Sequence, residues 1–277
     1  MANTNAERYA LVTGSARGIG AKIAEFFAKE GYGGIGINYN VDEESAKETV
    51  KLIESLGVPV KLYQADVSKK EDCERMITQF IADFGKIDVL VNNAGGALKI
   101  PAGEFDEMPL EYWDSQVALN LSATAYCCHY AIADMKKKGT KGRIINISSQ
   151  LSLCGWVKRK FLPYTAAKSG MNALTMALAN EVAKYGIVIN AIQCGAIKTR
   201  IAARYSEEQL QDYIKHIPAG FYGETQDIAN MAVFLADLEK PRYLIGQCIL
   251  IDGGQFHDGV LDCDHPYMET VSDNGTR

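Results

Sequence analysis

Short apolar segments alternate with longer helical patterns along almost the whole of this chain, and this alternation constrains the fold more than any other feature. The apolar segments have the length and β-branched content of buried strands, and the stretches between them repeat apolar residues at helical spacing. Strands separated by helices form right-handed βαβ units, so their sheet is parallel and covered on both faces. We therefore predict an α/β fold: a doubly wound, Rossmann-like parallel sheet with helices on both faces.

The pattern predicts strands at residues 9–13, 34–39, 60–65, 89–91, 143–147, 188–192 and 247–251. It predicts helices at residues 19–29, 43–55, 71–84, 110–137, 164–184, 206–214 and 225–235. No internal repeat or linker interrupts the 277 residues, a length that suits one large domain. We expect a single domain at residues 1–254, followed by a C-terminal extension at residues 255–277.

Composition and charge favour a small-molecule ligand. The contents of 47% hydrophobic and 23% charged residues are ordinary for a soluble globular protein, and the net charge of -5 argues against nucleic acid or an anionic membrane as partner. The first residues lack the basic and apolar regions of a secretory signal. The seven cysteines are scattered without a CxxC pair, so we expect free thiols in a reducing cytoplasm.

Two further features are assigned no special function. Residues 115–133 contain no Asp, Glu, Lys or Arg and approach membrane-spanning length, but their polar residues suit a buried helix better. The C-terminal extension carries metal-ligating residue types whose spacing matches no strong ligand motif, so we predict no metal; they are His257, Cys263, Asp264 and His265.

A glycine-rich turn joins the first predicted strand to the first predicted helix. Gly14, Gly18 and Gly20 follow the strand, with Ser15, Arg17 and Ile19 between them. Glycine lets backbone approach a pyrophosphate closely, and the N-terminus of the helix offers free N–H groups and a positive dipole. The turn therefore predicts a dinucleotide site, although glycine turns between strand and helix are also common without one.

The residues after the second strand select the cofactor, because this strand ends near the adenosine ribose. The chain has Asn38, Tyr39 and Asn40 there, and the first acidic residue is Asp42. Arg17 is able to pair with a 2′-phosphate, so we favour NADP(H) and leave NAD(H) open. The alternatives are that Arg17 is a solvated loop cation and that Asp42 caps a helix.

Two further segments follow strands at the same edge of the sheet. Asp66 and Val67 follow the third strand, where Asp66 either accepts from the adenine amino group or caps a helix. Asn92, Ala94 and Gly95 follow the fourth strand and suit backbone that passes beneath a cofactor. A turn built of Asn and Gly is the alternative for this second segment.

Tyr164 and Lys168 lie four residues apart in a helical pattern, so their side chains share one face. A nearby ammonium stabilises a phenolate and lowers the pKa of the tyrosine, which suits a general acid/base. For a lone Tyr-xxx-Lys pair, a surface contact between the two side chains is the better interpretation. Only further residues of the chain overturn it.

With Gly14-xxx-Gly18-x-Gly20, Asn92-Asn-Ala-Gly95, Ser149 and Tyr164-xxx-Lys168 in that order, the chain resembles the short-chain dehydrogenase/reductase family over about residues 9–254. Within the family it is most similar to the compact, 3-oxoacyl carrier-protein reductase-like group. The resemblance implies hydride transfer between a nicotinamide cofactor and a ketone or secondary alcohol. A dinucleotide-binding sensor without turnover is the alternative from another class.

The resemblance also implies a role for each site residue. Tyr164 would exchange the proton with the substrate oxygen, Ser149 would hydrogen-bond that oxygen, and Lys168 would hold the nicotinamide ribose and lower the tyrosine pKa. Asn120 would bind a water in a proton relay, with a satisfied polar residue in a long helix as its alternative. Further cofactor contacts would come from Asn92, Ala94, Gly95, Gly195, Ile197 and Thr199. The helices that carry Asn120 and Tyr164, and the last strand, would build two interfaces of a dimer or tetramer.

Three departures from the family pattern lie near the expected substrate entrance. The segment between Ser149 and Tyr164 is two residues longer than in the acyl-carrier reductases and carries Trp156 and the basic residues 158–160. Cys194 stands where the family usually has proline, and the extension 255–277 has no counterpart.

A basic loop suits an acidic substrate group or plain solvation. Apolar residues nearby suit a steroid-like ring or core packing; they are Met108, Trp113, Leu151, Leu153, Trp156, Phe161 and Tyr205.

Overall fold

The computed structural model describes residues 4–97, 104–153, 161–199 and 206–258. These residues form a seven-stranded sheet in the order β3-β2-β1-β4-β5-β6-β7, in which all paired strands are parallel. The strands are β1 Tyr9–Val12, β2 Gly34–Tyr39, β3 Val60–Gln64, β4 Val89–Asn92, β5 Arg143–Ser149, β6 Val188–Cys194 and β7 Cys248–Ile251. The helices are α1 Gly18–Lys29, α2 Glu43–Ser55, α3 Lys70–Phe84, α4 Leu110–Val117, α5 Ala123–Lys138, α6 Leu162–Val182, α7 Glu207–Ile214 and α8 Thr225–Ala236.

The predicted doubly wound α/β fold is confirmed, because the strands send alternate side chains into two separate cores. In β1, Ala10 and Val12 belong to a core with residues of α1, α2 and α8, whereas Leu11 belongs to a second core with residues of α3, α5 and α6. The strand order reverses between β1 and β4, and this switch point is where sheets of this type bind ligands at the carboxyl ends of their strands.

The long helix predicted at residues 110–137 is wrong in one respect. A π-helical segment, Ala118–Ser122, separates α4 from α5, and the amide of Ala123 donates to the carbonyl of Ala118 five residues earlier. Such segments are rare and occur frequently at functional sites. Asn120 lies inside this one, fully buried.

Two buried arginines hold the C-terminal end of α8 at the edge of the sheet opposite the switch point. Arg143 donates from Nε to the carbonyl of Asp237 (3.0 Å) and from Nη2 to the carbonyl of Leu238 (3.0 Å). Arg8 donates from Nη2 to the carbonyl of Ala236 (2.8 Å). These contacts satisfy carbonyls that lack partners within the helix and place positive charge at the negative end of its dipole.

Arg143→Met is expected to lower the free energy of unfolding by about 2–3 kcal/mol, because buried carbonyls lose a charged donor. Equilibrium denaturation with urea measures this loss. The control is Arg75→Met, whose side chain is 57% exposed and pairs with Asp72, and it should lower the same quantity by less than about 1 kcal/mol. Equal losses in the two variants would contradict the assigned role of Arg143.

Within the described ranges, no helix has both the length and the apolar character needed to cross a bilayer. The same residues contain no group of three or more His, Cys, Asp or Glu side chains arranged to hold a metal ion. Their five cysteines are free thiols. Cys263, Asp264 and His265 lie outside the described residues, as do Trp156, the basic residues 158–160 and Tyr205.

Candidate active site

The glycine turn lies between β1 and α1 and is tied to β2 by reciprocal hydrogen bonds. The amide of Gly14 donates to Asn38 Oδ1 (2.9 Å), and the amide of Asn38 donates to Ser15 Oγ (3.1 Å). Ser15 and Asn38 are both buried, and Asn38 Nδ2 donates to carbonyls of β3 and the residue that follows it. The side chains of Ser15 and Asn38 therefore hold the glycine turn in place through buried hydrogen bonds. They do not point toward the edge of the sheet where a cofactor would bind.

The first turn of α1 fits an anionic group such as a pyrophosphate. Arg17 occupies the N-cap position with extended backbone, and its side chain makes no capping hydrogen bond there. A Cβ atom on Gly20 would lie 2.5 Å from Asn93 Nδ2 and 2.7 Å from the Gly14 carbonyl oxygen, so only glycine lets the helix start this close to the turn. Ile19 packs against the first core. The N–H groups of this turn therefore face the switch point at the positive end of the helix dipole.

A second set of hydrogen bonds joins the ends of β1 and β4. It uses the predicted Ala94 together with Thr13 and Asn93, which sequence reasoning missed. Thr13 Oγ1 accepts from the amides of Asn93 and Ala94 (3.0 Å each), while Asn93 Nδ2 donates to the carbonyls of Thr13 and Gly14 (2.9 Å each). Asn92, the neighbour that the sequence favoured, is buried and donates instead to Asn146 Oδ1 (2.8 Å). Strand alternation carries the signal, because successive side chains at the end of β4 face opposite sides.

At the end of β2, Arg17 forms an ion pair with Asp42. Asp42 also accepts from the amide of Ser45 (3.2 Å) at the start of α2, which confirms that it caps this helix. That hydrogen bond first, and Arg17 after it, lower the pKa of the Asp42 carboxyl. Tyr39 is buried in the first core, whereas Asn40 is exposed. The cation expected to receive a 2′-phosphate therefore has an acidic partner.

Asp66 turns the chain after β3. Its Oδ1 accepts from the amide (3.1 Å) and hydroxyl (2.7 Å) of Ser68, and its amide donates to Asp72 Oδ2 (2.8 Å). The N-cap of α3 is Lys69, so the interpretation of Asp66 as the capping residue is wrong. Val67 is buried in the second core.

Gly95, Asn120 and Lys168 meet at one point. Asn120 Oδ1 accepts from the amide of Gly96 (2.8 Å), and its Nδ2 donates to the Gly96 carbonyl (3.1 Å). A Cβ atom on Gly95 would lie 2.7 Å from Asn120 Oδ1 and 3.2 Å from Lys168 Nζ, so the backbone passes directly over both groups. The Asn120 side chain therefore holds this backbone in place.

Ser149 and Tyr164 are joined by a hydrogen bond between their side chains. Ser149 ends β5, and Tyr164 lies near the start of α6, where Pro163 precedes it in the first turn. Lys168, one turn further along, is buried and donates from Nζ to the carbonyl of Ile147 (2.8 Å). Its Nζ lies 5.8 Å from the centre of the Tyr164 ring. Serine, tyrosine and lysine are thus brought together as the sequence predicted.

The pKa of Tyr164 is shifted in the direction opposite to the one expected. Burial raises the pKa of Tyr164 to about 12, against a lowering contribution from its hydrogen bond with Ser149. Burial also lowers the pKa of Lys168 to about 8. The predicted lowering of the tyrosine pKa by its neighbour is therefore wrong for this arrangement, because the loss of hydration outweighs any attraction between the two groups.

The segment after β6 closes the site from the other side. Cys194 is the residue of β6 that pairs with Ser149 across the sheet, and burial raises the pKa of its thiol to about 12. The amide of Gly195 donates to the last carbonyl of β7 (2.8 Å), and Ile197 forms a parallel bridge with Gly223. Thr199 follows at the end of this described stretch.

Comparison with known proteins identifies the family. A family model described as enoyl-(acyl carrier protein) reductase matches residues 14–255. The 3beta-hydroxysteroid dehydrogenase 1 of Eggerthella lenta is 36% identical over 246 residues, which cover 88% of this chain and 92% of that protein. The 3-oxoacyl-[acyl-carrier-protein] reductase of Staphylococcus aureus is 35% identical over 247 residues, 89% of this chain and 97% of that protein.

The fold is shared with a solved short-chain dehydrogenase from Burkholderia cenocepacia in complex with NADP. The TM-score is 0.81 at 29% identity, over 90% of this chain and 97% of that one. The strand order, the switch point and the full-length matches agree with one another. The chain belongs to the short-chain dehydrogenase/reductase family of nicotinamide-dependent oxidoreductases.

Proposed function

We propose that this enzyme reduces a ketone to a secondary alcohol, with Tyr164 as the group that gives the proton to the substrate oxygen. The observation that carries the proposal is the hydrogen-bonded pair of Ser149 and Tyr164 beside the buried Lys168. These residues lie at the same edge of the sheet as the glycine turn, the edge formed by the carboxyl ends of the strands. A bound nicotinamide cofactor supplies the hydride. The protein side chains orient the carbonyl, hold the cofactor and supply the proton.

The contacts support a separate task for each residue. Ser149 has a hydroxyl hydrogen to direct at the charge that develops on the substrate oxygen. Lys168 is held at its Nζ beside Gly95 and Asn120, where a ribose hydroxyl of the cofactor would pass. Asn120 fixes the backbone at Gly96, next to Gly95, and the π-helical segment around it supports its proposed place in a proton relay.

The raised pKa of Tyr164 fits its proposed role as the proton donor. A phenol with a pKa of about 12 is protonated at neutral pH and is therefore ready to donate.

For the substrate we propose a 3-oxoacyl thioester or a similar ketone, with a hydroxysteroid or a sugar alcohol as alternatives. The named relatives support this range, since one is a 3-oxoacyl-[acyl-carrier-protein] reductase and another a 3beta-hydroxysteroid dehydrogenase. The test is cofactor oxidation, followed by absorbance, with NADH and NADPH across ketoacyl thioesters, ketosteroids, ketoses and quinones. Tight cofactor binding without turnover of any ketone would instead favour a dinucleotide sensor.

For the cofactor we propose NADP(H), with Arg17 as the residue that receives the 2′-phosphate. The relative from Burkholderia cenocepacia is bound to NADP, and the Arg17 side chain is 55% exposed where it meets Asp42, shortly after β2. To bind the phosphate, Arg17 has to exchange its Asp42 partner for the ligand.

Arg17→Ala is expected to raise KM for NADPH about tenfold and KM for NADH about twofold at most, since only NADPH loses a charged partner. Asp42→Asn is the opposite control, because asparagine still caps α2 but no longer competes for Arg17, so KM for NADPH should fall. Steady-state kinetics with both cofactors measure these changes. Equal effects of Arg17→Ala on NADH and NADPH would remove the reason to prefer NADP(H).

We also propose that the enzyme is a cytoplasmic homotetramer. Met176 on the outer face of α6 is 54% exposed, and the four residues of the edge strand β7 are all half-buried. The helix α6 and the strand β7 therefore both keep apolar surface that a second copy of the chain would cover. Light scattering coupled to gel filtration measures the mass of the assembly, and a monomer would contradict the proposal.

A further inference from the structure

A cluster of polar side chains lies next to Ser149, and it joins the half-buried Ser152 to the buried Asn172 and Gln193. Ser152 belongs to the turn of 3-10 helix Gln150–Leu153 that follows β5. Its hydroxyl donates to the carbonyl of Ser149 (2.5 Å) and accepts from Asn172 Nδ2 (2.8 Å) and Gln193 Nε2 (3.0 Å). No step of the proposed reaction uses the Ser152 hydroxyl, which makes these three contacts.

The Ser152 hydroxyl has no freedom left in this arrangement. A serine hydroxyl offers one hydrogen and two lone pairs, and the two amide groups occupy both lone pairs. The hydrogen is therefore directed to the Ser149 carbonyl, and donors that bind the oxygen strengthen that bond. The carbonyl of Ser149 is held in one position as a result.

The two amide donors come from the elements that carry the rest of the site. Asn172 lies on α6, one turn after Lys168, and Gln193 lies on β6 next to Cys194, the cross-strand partner of Ser149. The hydroxyl of Ser169 on α6 also donates to the carbonyl of Ser152 (2.8 Å). The turn after Ser149 is therefore tied to the helix of Tyr164 and Lys168 as well as to the neighbouring strand.

The same turn sets the direction of the Ser149 side chain, because Ser149 Oγ accepts from the amide of Leu151 (3.2 Å). The Ser149 hydrogen is directed at the Tyr164 oxygen in this arrangement, and it would turn to the substrate oxygen when substrate binds. The cluster also has an energetic cost: Asn172 is buried, and its Oδ1 has no hydrogen-bond partner among the described residues. Costly polar groups beside a site are where a functional requirement is expected to override packing.

We propose that Ser152 is a positioning residue that aims the Ser149 hydroxyl at the reacting oxygen, with Asn172 and Gln193 holding Ser152 in turn. The inference rests on the proposed role of Ser149. Misplacing a catalytic group slightly costs large factors in rate, so Ser152→Ala should lower kcat by roughly tenfold or more while KM for the cofactor changes by less than about twofold. Ser152→Thr keeps the hydroxyl and should restore most of the rate.

The matched control is Ser55→Ala. Ser55 Oγ donates to the carbonyl three residues earlier (Leu52, 2.6 Å), as Ser152 does, but it is exposed at the end of α2. Its removal should leave kcat unchanged. If Ser152→Ala fails to fold, Gln193→Leu removes a single donor to Ser152, and it should lower kcat below that of the unaltered enzyme while the cofactor KM stays unchanged. An unchanged kcat in Gln193→Leu would then overturn the inference.

A double-mutant cycle with Ser149→Ala separates positioning from general support. If Ser152 acts through Ser149, adding Ser152→Ala to Ser149→Ala should change kcat by less than about twofold. An equal loss in both backgrounds, or a kcat near that of the unaltered enzyme for Ser152→Ala, would overturn the inference alone. Full activity of Ser149→Ala would overturn the proposed role of Ser149 and this inference with it.

Discussion

Tyr164→Phe will lower kcat by roughly three orders of magnitude while the Kd of the cofactor stays nearly unchanged. The substitution removes one oxygen atom from a ring whose position is set by α6. That oxygen is the one hydrogen-bonded to Ser149, and its proton is the one that the proposed reduction consumes. Steady-state kinetics and a cofactor titration monitored by fluorescence measure the two quantities.

Tyr63→Phe is the matched control for this prediction. The Tyr63 hydroxyl also donates to a partner, Asp83 Oδ2 (2.8 Å), but it lies between β3 and α3 and away from the site. Its loss should change stability slightly and kcat not at all. If Tyr164→Phe kept more than about a tenth of the rate, the proton would come from another group and the assignment of Tyr164 as general acid would fail.

The order of elements and the edge that carries the site were predictable because they depend on periodicity. The strands and helices of the chain begin and end within a few residues of the predicted bounds, and parallel strands bring their carboxyl ends to one edge. Ser149, Tyr164 and Lys168 meet there because β5 and α6 are adjacent in the chain and packed together. Short-range patterns contain all of that information.

The features that sequence reasoning missed depend on contacts between distant segments. The π-helical segment around Asn120 has no local signature, since each of its residues is compatible with an ordinary helix. Asn92 and Asn93 are chemically identical, and they differ only in the direction of the side chain at the end of β4. Asn92 bonds a neighbouring strand within the sheet, whereas Asn93 bonds the backbone of Thr13. The pairing of Arg17 with Asp42 likewise spans two βαβ loops.

Lys168→Met will inactivate the enzyme and stabilise the fold. The Lys168 ammonium is buried, and that burial lowers its pKa to about 8, whereas the unfolded chain has a value near 10.4. At about 1.4 kcal/mol for each pH unit between the two values, carrying the charge costs the folded state roughly 3 kcal/mol at neutral pH. Methionine fills similar space without a charge to bury.

The gain is partly offset, because Nζ donates to the carbonyl of Ile147 and that bond is lost. A hydrogen bond contributes about 1 kcal/mol, so the net stabilisation should be about 1–2 kcal/mol, or a rise in Tm of several degrees. The control is Lys215→Met, whose side chain is 73% exposed, and its Tm should shift by less than about one degree.

The dependence on pH identifies the cause of the stabilisation. The pKa of Lys168 is lower in the folded protein than in the unfolded chain, so the unfolded chain binds more protons between about pH 8 and pH 10.4. The unaltered protein therefore becomes more stable as pH rises through that window. Below this window the folded protein bears the full cost of burying the Lys168 charge. Above it Lys168 is neutral in both the folded and the unfolded state, and the cost disappears. The Tm difference between Lys168→Met and the unaltered protein should therefore be largest near pH 7 and should shrink toward pH 10. A difference that stayed constant over this range would mean that Lys168 is not a buried charge, and packing alone would then account for any change in stability.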